Sequence, residues 1–113
     1  MTVDDSLRVL TVRSRVARNS PVAIAQVCVE GEIDADNIAV LRAVLLHSIA
    51  TCPLVHCDLS GVTFLAAAGV NMLAAVARRA AVRGVRVELH GVRGLTRRVL
   101  EIAGLERVLL ISG

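Results

Sequence analysis

The sequence predicts a single α/β domain: a mixed, largely parallel sheet of four to five strands with flanking helices, in the order β-β-α-β-α-β-α-β. Three observations predict it. Short apolar runs end at Gly, Pro or acidic residues, as strands do. Between them lie longer segments whose apolar residues recur at helical spacing. And 113 residues without a low-complexity linker or internal repeat fit one domain, residues 1–113, with one core.

The elements follow in order. Leu7 to Val16 alternates roughly and reads as a first strand, with a turn at Asn19-Ser20-Pro21. Val22 to Val29 is a second apolar run, paired antiparallel to the first, and Gly31 with its acidic neighbours is expected to break it. Asp34 or Asp36 can cap the first helix, whose inward stripe is Ile38, Leu41, Leu45, Ser48 and Ile49. Pro53 stops that helix and opens a short buried strand, Leu54 to Leu59, parallel to the second through a right-handed crossover. Ser60 to Thr63 reads as a loop, and Ala66 to Arg83 as a second helix with Val70, Leu73, Val76, Ala77 and Ala80 inward. Gly84 stops it, and Val85 to Leu89 alternates as a fourth strand. A third helix has Leu95, Val99 and Ile102 as its inward stripe and closes at Gly104; Val108 to Ile111 makes the last strand. Whether all helices share one face of the sheet is left open by the sequence.

Composition excludes several functions. The hydrophobic fraction is 55%, yet Phe64 is the one aromatic residue, which argues against base-stacking platforms. The net charge is +3 and every basic residue is arginine, crowded into the second half. These arginines fall where amphipathic helices need polar sides, and no recognition helix or zinc spacing accompanies them, so no nucleic acid is expected. No apolar stretch is long enough for direct membrane insertion, and Asp4 and Asp5 stand where a signal peptide carries positive charge. Cys28, Cys52 and Cys57 are odd in number and lack metal-ligand spacing, so reduced thiols in the cytoplasm, and no metal or other cofactor, are expected. A redox pairing of Cys28 with Cys57 requires neighbouring strands. His47, His56 and His90 are scattered, and His56 next to Cys57 points to the opposite face of its strand, the wrong arrangement for a Cys–His pair. An enzyme is not expected.

In α/β sheets, sites form at the carboxyl ends of parallel strands. Two such ends meet here, Glu30 to Asp34 and Asp58 to Ser60, and the second helix aims its free amides at the same region. Gly31-Glu32-Ile33-Asp34, then Asp58-Leu59-Ser60-Gly61-Val62-Thr63-Phe64-Leu65, then Gly69-Val70 and Leu73, resembles the STAS domain of bacterial anti-sigma factor antagonists. Ala80, Gly84, Val85, Leu89, Arg98-Val99-Leu100 and Gly104-Leu105 extend the resemblance from about Leu7 to Ile111.

The resemblance implies a STAS-like fold and a regulatory protein-binding module. Its partner would be an anti-sigma factor of the serine-kinase type, and docking would free a sigma factor for transcription. It implies a partner-binding surface of Asp34, Asp58, Ser60, Thr63, Phe64, Ala68, Gly69 and Asn71. In that family the kinase phosphorylates a serine at the start of the second helix, and the added charge blocks docking. Where the family usually reads Asp-Ser-Ser-Gly, this chain has Ala66-Ala67-Ala68-Gly69, with Ala68 at the phosphorylated position. An alanine methyl cannot accept a phosphoryl group, so the switch should be absent unless Ser60 or Thr63 replaces it. Asn71 stands where the family often carries a glycine. Asp34 has a second role open to it, as helix cap, and Asp58 as a brace of the loop. An alternative implied by the family is a STAS subunit of a transporter or signalling scaffold. Small-residue helix faces also suit a homodimer.

Overall fold

The computed structural model describes residues 10–18, 21–107 and 109–113. Its elements are β1 (Thr11–Ala17), β2 (Ile24–Ile33), α1 (Ile38–Thr51), β3 (Leu54–Leu65), α2 (Ala67–Val82), β4 (Arg86–His90), α3 (Gly94–Ile102), a 3₁₀ turn (Leu105–Arg107) and β5 (Leu110–Ile111). The five strands lie in the sheet in sequence order. β1 is antiparallel to β2, and the β2/β3, β3/β4 and β4/β5 pairs are parallel. That is the expected mixed, largely parallel sheet. The expected strand residues Leu7 to Arg8 and Val9, the turn residues Asn19 and Ser20, and Val108 lie outside the described residues.

The sheet is one-sided. Val27, Val29, Val55, Cys57, Leu59 and Leu89 are all buried on the face that α1 and α2 cover. Intervening residues of the same strands, Gln26, Cys28, His56, Asp58, Glu88 and His90, remain half-buried on the other face. Period-2 alternation therefore separates an apolar face from a polar one. On the covered side, Leu41, Leu45, Ser48 and Ile49 of α1 meet the expected stripe of α2, where Val70, Leu73, Val76, Ala77 and Ala80 are buried. Buried Ser48 satisfies its hydroxyl by donating to the Val44 carbonyl at 2.8 Å. Arg83 reaches from the end of α2 to the last carbonyls of α1, those of Ile49 and Ala50, at 3.3 and 3.4 Å. A guanidinium there satisfies acceptors that the helix leaves open.

Three expectations are corrected. Gly31 does not break β2. The strand continues to Ile33 because Gly31, at φ 108°, absorbs a bulge while pairing with β3 resumes beyond it. Ser60 to Thr63 is not a loop either: β3 runs to Leu65, paired with β2 through Gly61, Val62, Phe64 and Leu65. β4 stops at His90 opposite Asp58, so β2 and β3 extend past the sheet as a two-stranded parallel ribbon. The third correction concerns α3. Leu100 is its buried residue, whereas Leu95 and Ile102 are 75% and 80% exposed. The helix packs against β3 and the following turn; of the stripe read as inward, Val99 packs against the core beside Leu100, while Leu95 and Ile102 face outward.

Candidate functional site

The ribbon ends where α1 and α2 begin. Ile33 and Leu65 are register partners, and the Ala66 amide donates to the Ile33 carbonyl at 2.9 Å. Asp34 and Ala66, the next residues, therefore start the two helix approaches side by side. Asp34 folds a turn before α1: its carboxylate Oδ1 accepts the amides of Asp36 (2.9 Å) and Asn37 (3.1 Å). Asn37 replies through Oδ1 to the Asp34 amide (3.0 Å) and donates Nδ2 to the Glu32 carbonyl (2.7 Å). Asn37 itself is the N-cap residue, which corrects the expectation of Asp34 or Asp36 there. Asp34 secures the turn one step earlier, and Asp36 is exposed.

At the start of α2, Ala66 has the extended N-cap conformation, φ −76° and ψ 163°, yet offers no side chain to the free amides. No acidic residue lies in the first turn. Gly69 is buried here, where a Cβ would come within 2.5 Å of Leu65 Cδ1 and 2.9 Å of Ile33 Cγ2. Its lack of a side chain lets α2 sit directly on the end of the ribbon. Ala68 is half-buried in the first turn, and Asn71 is exposed one turn on.

Beside this junction lies an apolar patch. Phe64 is 50% exposed at the ribbon tip. Thr63, Phe64 and Leu65 enclose a cavity of about 40 Å³ together with Leu95, Thr96 and Val99 of α3. Leu95 thus belongs to the same surface as Phe64, a role that the sequence hid by placing Leu95 in a helical stripe with Val99 and Ile102.

Asp58 and Ser60 lie elsewhere. About 20 Å of strand separates Asp58 from Leu65, and these two residues line the open sheet face instead. Asp58 Oδ1 accepts the Ser60 amide at 2.9 Å, so the aspartate does brace its own backbone. Gly91 closes over this brace at φ 70°, where a Cβ would meet Ser60 Cβ at 2.7 Å and Asp58 Oδ1 at 2.8 Å. The predicted site therefore divides in two: Asp34, Thr63, Phe64, Ala68 and Gly69 gather at the junction, while Asp58 and Ser60 border a groove of about 480 Å³ on the polar face.

His56 and His90 line that groove, and beside them register brings together side chains that sequence spacing did not. His56 and Glu88 are register partners on β3 and β4, and His90 follows Glu88 by two residues on the same face. Glu88 Oε1 receives His56 Nε2 at 3.2 Å and His90 Nε2 at 3.1 Å; Glu88 Oε2 receives Arg86 Nε at 3.0 Å. The two imidazoles meet edge to face with centroids 4.8 Å apart. Glu88-Leu89-His90 alternation was the available signal; the register to His56 was not. Cys28 also lines the groove, whereas Cys57 faces the helices, so Cys28 and Cys57 point to opposite sides of adjacent strands and do not pair.

A one-sided, largely parallel sheet led by an antiparallel strand, with a ribbon feeding the start of its second helix, defines a domain of STAS architecture. Residues 16–112 match the family model described as "Mlab, STAS domain", and the chain belongs to that family. No curated protein matches it by sequence. Among solved structures, it is similar to an anti-sigma factor antagonist from Mycobacterium paratuberculosis at 24% identity and TM-score 0.74, covering 90% of this chain and 86% of that one. It is similar to the Bacillus cell fate determinant SpoIIAA in the phosphorylated form at 16% identity and TM-score 0.66, covering 89% and 92%. It also matches SLC26A9 at 14% identity and TM-score 0.72, covering 93% of this chain but 22% of the other. At these identities the likeness concerns the fold. No described helix is long and apolar enough to cross a membrane.

Proposed function

We propose that this STAS domain is a non-catalytic regulatory module of the cytoplasm that docks on a serine-kinase-type anti-sigma factor and so releases a sigma factor. The observation that carries the reading is the junction itself. An exposed apolar patch, Phe64 with Leu95, stands beside a helix N-terminus at Ala66 to Gly69, in a fold shared with anti-sigma factor antagonists. Ala66, Ala67 and Ala68 leave no hydroxyl in that segment. The module is therefore held in its binding-competent form, because the phosphoryl group that would add charge at the interface has no acceptor there. Ser60 and Thr63 are exposed but belong to β3, not to the helix start.

The test is binding of the purified chain to the serine-kinase anti-sigma factors of its source cell, with and without ATP. A complex that ATP leaves intact, with no phosphate on the chain, is expected. Failure to bind any of them refutes the docking; a phosphorylated chain refutes constitutive action. Introducing Ala68→Ser should then make the complex ATP-sensitive.

A second reading is favoured by one observation. The match to SLC26A9 covers 22% of a longer chain, which shows this architecture as one part of a larger protein. The domain would then be a STAS subunit of a transporter or scaffold assembly. Co-purification with membrane-embedded partners, in place of an anti-sigma factor, would distinguish it.

A further inference from the structure

We propose that His56, Glu88 and His90 form a binding site for a divalent first-row transition metal on the open face of the sheet. The three ligand atoms, two imidazole Nε2 and the carboxylate Oε1, lie within 4.8 Å of one another. Metal–ligand bonds of about 2.0–2.1 Å set a ligand-to-ligand edge of roughly 3.3 Å in a tetrahedral site. Two of the three edges already stand at 3.2 and 3.1 Å. Closing the third requires only that the imidazoles turn toward each other.

Several features distinguish this from an ordinary hydrogen-bonded cluster. Glu88 is already neutralised by Arg86, which engages the other carboxylate oxygen, Oε2. Both histidines nevertheless converge on Oε1 alone, so one cation placed between them would take the place of two N–H groups on a single oxygen. The ligands stand on paired strands in register, which fixes their spacing better than a loop could. His90 has an outer partner as well: its Nδ1 lies 3.0 Å from Ser112 Oγ. An imidazole that ligates through Nε2 needs such a group to accept its Nδ1–H. Glu88 is 12% exposed, while His56 and His90 are 33% and 40% exposed, so the site can be reached from solvent. Two imidazoles and one carboxylate suit zinc, cobalt or nickel and not magnesium or calcium, which select all-oxygen sites. A remaining coordination position would face the groove bordered by Asp58 and Cys28.

The site is independent of the docking junction, and so is its test. The full chain, stripped with chelator, is titrated with zinc chloride by calorimetry and with cobalt chloride by visible absorption. One equivalent should bind, with visible cobalt bands of a low-coordinate site and a rise in Tm. His56→Gln and His90→Gln should each weaken binding by at least about tenfold. Both positions are partly exposed, so the metal-free variants should melt near the parent, and their circular dichroism checks that they fold. Absence of binding below about 1 mM, or binding unchanged by either substitution, overturns the site.

Discussion

Cys28 and Cys57 differ by one position in register across β2 and β3, yet their environments are opposed. Cys57 is buried beneath the helices, and burial, then the Asp58 charge, then Cys28, push its thiol up from 9.0 to about 12. A thiol held so far up is protonated at any physiological pH and a poor nucleophile. The shift also has a sign for stability. Above pH 9 the unfolded chain releases this proton while the folded chain keeps it, so unfolding becomes more favourable as pH rises. Between pH 9 and 12 the stabilising effect of Cys57 should fall by up to about 1.4 kcal/mol per pH unit. Urea unfolding at pH 8, 9.5 and 10.5 checks it. The stability difference between the parent and Cys57→Ala should shrink along that series, and a constant difference would show that Cys57 titrates normally.

At the scale of elements, α2 is the best-read helix, and its N-terminus lacks a side-chain cap. Its inward stripe was legible because Val70, Leu73, Val76, Ala77 and Ala80 meet one covered surface along the whole helix. α3 was legible only in part, because its neighbour is the ribbon: Leu100 is buried and Val99 packs against the core, whereas Leu95 and Ile102 have the right spacing on the wrong side. β3 was cut short at Leu59 because Ser60-Gly61 carries the composition of a turn. Partnering with β2 outweighs that local preference, and Gly61 fits because it has no side chain, since a Cβ there would meet Glu30 Cγ at 2.7 Å. The absent cap at Ala66 is testable in the same terms. Its extended dihedrals suit a capping side chain, so Ala66→Asp should raise stability by about 0.5–2 kcal/mol. Ala66→Asn isolates the hydrogen bond from the charge. Salt should lower the gain for Asp more than for Asn, and no gain from either would mean that the α2 amides are satisfied otherwise.

For the molecule as a whole, one-sidedness decides what each surface can do. Helices cover one face of the sheet, the other is polar, and at the ribbon tip two exposed apolar side chains, Phe64 and Leu95, stand together. Motif spacing found the junction, since Asp34, Phe64 and Gly69 lie close along the chain to the two strand ends. The histidine groove escaped it, because it depends on register between strands that are far apart in sequence. This division makes the last prediction sharp. Phe64 is half exposed, so Phe64→Ala should alter folding stability by no more than about 0.5 kcal/mol. If the tip is where a partner docks, the same substitution removes a central aromatic anchor, which costs at least about 2 kcal/mol, roughly thirtyfold in Kd. Leu95→Ala should follow the same pattern more weakly, and the double variant should lose less than the sum because the two side chains share one cavity. His56→Gln, on the polar face, should leave that affinity unchanged. The opposite pattern, with the tip variants binding as the parent does and the His56 variant failing, would move the docking surface to the open sheet.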